Sequence, residues 1–111
     1  MANVPVAVIR TKIPDNLFEA LESKRREGGR KKSRGALMGE AGEEFLAWHE
    51  HEREEGWIPR ALVAVGSEFR CEVPEALKLK LDAVAEREHV MVSTIYYNAL
   101  GRWARARGLK V

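Results

Sequence analysis

Residues 8–14, VIRTKIP, and residues 68–74, EFRCEVP, repeat one pattern about sixty positions apart. In the first, Ile9, Thr11 and Ile13 alternate with Val8, Arg10 and Lys12, and Pro14 follows. In the second, Phe69, Cys71 and Val73 alternate with Glu68, Arg70 and Glu72, and Pro74 follows. A strand sends successive side chains to opposite faces, so each stretch predicts a short strand with one apolar and one polar face. Proline suits the first turn of a helix, where its missing N–H costs nothing, and Asp15 and Glu75 then complement the helix dipole.

Working outward, each strand heads a longer repeat. Residues 8–48 read strand, Pro-Asp helix, basic turn, Ser-capped helix. Residues 68–104 read strand, Pro-Glu helix, short turn, apolar helix. The expected helices run from Pro14 to about Arg26, from Ser33 to about Glu54, from Pro74 to about Glu88, and from Val92 or Ser93 to Arg107. Their inward stripes are Leu17, Leu21 and Lys24; Leu37, Met38, Ala41, Phe45 and Trp48; Leu77, Leu81, Val84 and Ala85; and Ile95, Tyr96, Ala99, Leu100 and Trp103. Duplication at this period decides the fold, and each copy is too small to bury a core alone. The expected units are residues 1–55 and 67–111, joined by a linker at 56–66 and folded as one compact body. The linker segment LVAV is either a short extra strand or leads straight into the second ribbon strand. Aligning Ala41 with Ala99 sets Gly39 against Tyr97 and Gly42 against Leu100, so small residues face large ones and the helices can interdigitate.

Composition bounds the class. With 45% hydrophobic and 32% charged residues, a globular domain is expected rather than disorder. No stretch approaches a membrane span, and Met1–Arg10 lacks a signal-peptide pattern, so a cytoplasmic, nucleoid-associated protein is expected. The lone Cys71 falls on an inward strand position and reads as a small core residue. Net charge is only +2, but its distribution is uneven. Residues 10–34 hold nine Lys/Arg against four Asp/Glu, and residues 35–55 one against seven. A basic edge and an acidic end can orient a protein on a polyanion.

The ordered set VIRTKIPDNL with KKSRGALMGEAGEEFL, repeated as EFRCEVPEAL with STIYYNALGRWA, resembles the ribbon-helix-helix family of β-ribbon DNA readers (Arc, MetJ and CopG-like proteins). The single-chain duplication is similar to TraY-type proteins. The resemblance implies a mainly α fold with a two-stranded antiparallel β-ribbon, a tandem ribbon-helix-helix pseudo-dimer. It implies that the ribbon enters the major groove, that outward side chains read base edges, and that the second helix of each unit clamps a phosphate. The base-reading residues are then Val8, Arg10, Lys12, Glu68, Arg70 and Glu72. The phosphate contacts are Arg30, Lys31, Lys32, Ser33, Arg34 and Gly35 in the first unit, with Met91, Val92 and Ser93 at the matching place in the second.

The chemistry of these residues agrees. The major groove admits a two-stranded ribbon, Arg10 and Arg70 can each bind guanine O6 and N7, and Val8 can touch a thymine methyl. Helix N-terminal amides bind phosphate oxygens without a special side chain. The second unit is less favourable: Glu68 and Glu72 flank Arg70, the turn HVMVS carries no Lys or Arg, and Met91 falls where Ser33 caps the first unit. Ser93 is the alternative cap of a slightly shorter helix.

Other signals point nowhere. His49 and His51 in HEHERE face apart on a helix, which reads as a solvated helix end, and His89 reads as a turn residue. Trp48 and Trp103 are expected to close the core, with Trp57 covering one end of it or staying partly exposed. No zinc spacing, nucleotide loop or nucleophilic constellation occurs, so neither catalysis nor a cofactor is expected. The expected partner is double-stranded DNA, bound by a monomeric pseudo-dimer acting as a transcriptional repressor; oligomerisation on adjacent sites stays open. Two alternatives remain: an accessory DNA-binding factor at a plasmid transfer or partition site, and an antitoxin-like or phage-inhibitor module that keeps the fold for protein contact. The carboxylates Glu68 and Glu72 and the acidic stretch 50–55 favour the last.

Overall fold

A computed structural model describes residues 4–27, 32–63 and 66–111. Its element order is β1 (Val6–Ile13), α1 (Asp15–Arg25), α2 (Arg34–His51), β2 (Ser67–Pro74), α3 (Glu75–Glu88) and α4 (Val92–Ala106). Among the described residues there are thus four helices and one two-stranded antiparallel sheet. No helix among them is long and apolar enough to cross a membrane.

The alternation seen in sequence sets the ribbon. Ile9, Thr11 and Ile13 of β1 and Phe69, Cys71 and Val73 of β2 are buried, while their polar neighbours are exposed. Arg10 lies directly opposite Arg70, and the pairs Val8 with Glu72 and Lys12 with Glu68 flank it. Arg10 and Arg70 stand equally far before Pro14 and Pro74. The register therefore runs outward symmetrically from this pair.

One core joins all six elements. Ile9, Ile13, Leu17, Leu21, Leu37, Phe45, Phe69, Leu81, Ile95 and Leu100 are essentially inaccessible. Each such side chain contributes about 1.5–3 kcal/mol on removal from water. Gly42 lets α2 approach α3: a Cβ there would stand 3.1 Å from Leu77 Cδ1 and 3.3 Å from Leu81 Cδ1. Gly39, by contrast, faces open space, so neither glycine meets the large residues of α4 that the alignment set against them. Cys71 is buried as expected, and desolvation pushes its thiol up to about 11.

Several expectations need correction. Helix α2 ends at His51, not near Glu54, because the chain turns at Gly56 (φ 84°) and folds Trp57 back on Phe45 and Trp48. His49 is not solvated: it is 4% exposed, 2.9 Å from Glu88 Oε1, and packed beside Phe45 and Trp57. On α1 the third buried residue is Glu22, while Lys24 is half-buried beside Glu27. In the linker, residues 61–63 form no strand, and residues 64–65 of LVAV lie outside the described residues. Trp48 packs against the core only half-buried, whereas Trp103 is buried and Trp57 half-buried as expected.

The linker is held instead by a side chain. Asn98 of α4 is buried; its Oδ1 accepts from the Arg60 amide at 3.0 Å, and its Nδ2 donates to the Arg60 carbonyl at 3.0 Å and the Thr94 carbonyl at 2.7 Å. One amide thus pairs with the linker backbone as a neighbouring strand would. At the end of α3, His89 takes the left-handed conformation (φ 57°) and the Val90 amide donates to the Ala85 carbonyl. This closes the helix as a glycine often does.

Candidate nucleic-acid interface

The ribbon turns Val8, Arg10, Lys12, Glu68, Arg70 and Glu72 outward on one face. All six are exposed, Val8 at 38%. This is the set that sequence alternation selects, because a period-two ladder leaves no other exit for those side chains. The face is not uniformly basic. Arg10 Nε donates to Glu68 Oε1 at 3.2 Å, diagonally across the ribbon. Among the described residues Lys12 and Arg70 have no carboxylate within ion-pair distance. The ribbon cations free to meet a polyanion are therefore Lys12 and Arg70, with Arg10 held in reserve by Glu68.

The first turn of α2 sits against this ribbon. Ser33 caps it: its backbone is extended (φ −68°, ψ 159°) and its Oγ accepts from the Ala36 amide at 3.0 Å. That satisfies one of the amides a helix start leaves unpaired; the others remain suited to an anion. Gly35 follows because α2 meets β2 here. A Cβ on Gly35 would collide with the Glu72 carbonyl oxygen. Gly35, one of the phosphate-clamp candidates, is thus set directly against β2, with Ser33 two residues before it.

The remaining basic residues of the turn behave differently. Arg30 and Lys31 lie outside the described residues. Lys32 Nζ is 2.6 Å from Glu40 Oε2, and Arg34 Nε is 2.7 Å from Glu22 Oε1. The Arg34 guanidinium also lies over the Phe18 and Phe69 rings at 5.4 and 6.0 Å. Arg25 and Arg26 reach the same Glu22, at 2.7 and 3.4 Å. Hydrogen bonding from Arg25 foremost, then from Arg34, holds the Glu22 carboxyl at about 2 against the cost of its burial. Most described cations of residues 10–34 are therefore engaged in ion pairs, but Arg25, Arg26 and Arg34 share the single charge of Glu22, so the segment stays net positive. Sequence reasoning missed Glu22 as a hub. Its spacing to Arg25 and Arg26 was legible as i,i+3 and i,i+4 pairs, but the link to Arg34 is not local.

Glu40 plays a similar part between helices. It accepts from Lys32 and from Trp103 Nε1 at 3.0 Å, and Arg107 stands 3.6 Å away. The Lys32 ammonium foremost keeps its carboxyl below the usual range. Arg107 also pairs with Glu44 at 2.7 Å and lies 4.2 Å over the Trp103 ring. These bonds tie α2 to the end of α4.

The second unit offers a barer helix start. Met91 occupies the cap position with no side-chain cap, and Val92 and Ser93 are the first two residues of α4. Ser93 therefore does not cap a shorter helix. Met91 and Val92 are exposed, at 74% and 42%. No basic side chain adjoins them in sequence, so any anion bound there would rely on helix amides alone. Comparison with known protein families, curated proteins and solved structures gave no match.

Proposed function

We propose that this chain is a sequence-specific double-stranded DNA-binding protein, a single-chain pseudo-dimer of two ribbon-helix-helix units, and that it represses transcription by occluding a promoter. The observation that carries this is the outward ladder centred on Arg10 and Arg70, with the Ser33-capped start of α2 lying against the same ribbon. A two-stranded ribbon fits the major groove, arginines can read guanine there, and a helix start beside it can hold the flanking phosphate. The two halves are chemically unequal, so one chain prefers an asymmetric site. Lys12 and Arg70 make the first contacts; Arg10 joins when DNA displaces Glu68.

Binding to mixed genomic fragments at two salt concentrations tests this. Arg70→Ala should relax preference at one base pair, costing about 1–3 kcal/mol there. Lys12→Ala should weaken binding and reduce its salt dependence. Tight binding that neither change affects would overturn the ribbon mode.

A second function is favoured by one observation. The Arg10–Glu68 pair and the outward Glu72 put acid and base side by side, as on a protein-docking face. Failure to bind any duplex at low salt would move the function to that class, an antitoxin-like or inhibitor module. Action at a plasmid transfer or partition site shares the same DNA chemistry and differs only in where the site lies.

A further inference from the structure

On α4, Asn98, Arg102 and Arg105 recur at i, i+4 and i+7, so they share one helix face. Asn98 pins the backbone of Arg60 beside that face. Across from it stand Phe45 and Trp48 of α2, and Trp57 of the linker packs edge-on against Trp48, ring centroids 5.2 Å apart. Together these seven residues line a cavity of ≈ 220 Å³. Three of its lining residues are aromatic and three are arginines.

None of Arg60, Arg102 and Arg105 has a carboxylate within ion-pair distance among the described residues. Arg53, Arg70 and Arg87 also lack such a partner, but Arg53 and Arg87 share their hollow with Glu50 and Glu55, whereas no acidic residue lines this one. Arg102 lies 5.3 Å over the Trp48 ring. Arg105 is half-buried and folds back over Gly101, where a Cβ would stand 3.0 Å from its Nη1. Burial foremost, then the charges of Arg60 and Arg102, pulls the Arg105 guanidinium below its ordinary value. Three converging cations with no counter-charge repel one another, and an anion placed among them relieves that repulsion. The carboxylates of Glu52, Glu54 and Glu55 line a different hollow beside Trp48 and Trp57.

We infer that this cavity is a binding site for a small monocyclic aromatic carboxylate. The carboxylate is held by the planar forks of Arg60, Arg102 and Arg105, which match it in a bidentate way. The ring lies against the half-buried Trp48 and Trp57, which Phe45 backs from the core. The hollow of ≈ 220 Å³ is smaller than the about 300–1,000 Å³ of pockets that hold drug-sized ligands, which matches a ligand of one ring. A bare phosphate would leave the aromatic wall unused. The site is remote from the ribbon. Gly35 touches β2, and Trp48 lies about 20 Å further along α2 at the rise of a helix. It is independent of what the ribbon binds.

Benzoate titrated into the full chain, followed by tryptophan fluorescence and Tm, tests this. The expected result is a saturable change at millimolar or lower benzoate, with acetate, benzamide and inorganic phosphate each roughly tenfold weaker or worse. Arg105→Gln and Arg60→Gln should each weaken benzoate roughly tenfold. Arg60→Gln keeps the test sound if Arg105→Gln misfolds, because Asn98 binds the Arg60 backbone and not its side chain. No saturable response to benzoate overturns the site. So does an equal response to acetate or phosphate, or a response unchanged in Arg60→Gln. Displacement of benzoate by duplex DNA would reassign the arginines to phosphate-backbone contact.

Discussion

Gly35, in the first turn of α2, lies directly against the backbone carbonyl of Glu72 in β2. A helix start and a strand rarely come so close, and only the missing side chain of Gly35 allows it. The contact sets the height of α2 above the ribbon, and with it the position of the capped turn relative to the outward residues. Gly35→Ala should therefore destabilise the protein by about 1–3 kcal/mol through overpacking. Gly39→Ala, on the same helix in open space, should instead stabilise it by up to about 1 kcal/mol. Thermal melts of the two variants check this; equal Tm shifts would mean that the Gly35 contact carries no constraint.

Glu22 gives the protein a specific acid sensitivity. Its carboxyl is buried, and Arg25 foremost and Arg34 hold it at about 2 against an ordinary value of 4.5. A depressed acid stabilises the fold in its charged form. That stabilisation is complete above about pH 4.5 and is lost as pH falls from there toward 2. It amounts to roughly 2–3 kcal/mol. Tm measured between pH 2 and 6 should fall steeply in the native chain and less steeply in Glu22→Gln, which should already be less stable at neutral pH. Parallel curves would remove Glu22 from this role.

Asn98 holds the linker by three hydrogen bonds, two of them to Arg60. Asn98→Ala leaves the Arg60 amide and carbonyl without that partner and should cost about 2–3 kcal/mol. Proteolysis within residues 56–63 should become faster at temperatures where the helices remain folded. Asn98→Asp should fail to restore protection, since it replaces the donor to the Arg60 and Thr94 carbonyls with a second acceptor. Unchanged cleavage in both variants would show that core packing alone fixes the linker.

Glu68 restrains Arg10 by an exposed pair at 3.2 Å. Such a pair is worth only about 0–1 kcal/mol, so breaking it leaves the fold intact. If the ribbon binds DNA, Glu68→Gln should tighten binding about three- to tenfold at low salt, by freeing Arg10 and removing a charge that repels phosphate. Arg10→Ala added to Glu68→Gln should cancel most of the gain. Weaker binding in Glu68→Gln would mean that the carboxylate itself accepts from a base.

Much of the fold was legible because its signals are local. Alternation at residues 8–13 and 68–73 set the inward and outward faces of the ribbon, and Pro14, Pro74 and Ser33 marked helix starts that the structure keeps within a residue. Even the outward set Val8, Arg10, Lys12, Glu68, Arg70 and Glu72 follows from a period of two. For the last helix the sequence left two starts open, and the structure takes Val92, with Met91 at the cap position, over a shorter helix capped by Ser93.

Charge was where local reading stopped. Residues 10–34 read as a basic edge, and it stays net positive, yet Glu22, Glu40 and Glu68 hold five of its described cations in ion pairs. His49 read as solvated until α3 brought Glu88 beside it. The sequence by itself determined which residues form strands and helices and which strand faces turn outward, because backbone geometry imposes those periods on neighbouring positions. Only the tertiary structure decided which cations are spent and which are free. Ion pairs form between side chains that packing brings together, such as Arg10 with Glu68 or Arg107 with Glu44, and no period along the chain encodes that meeting.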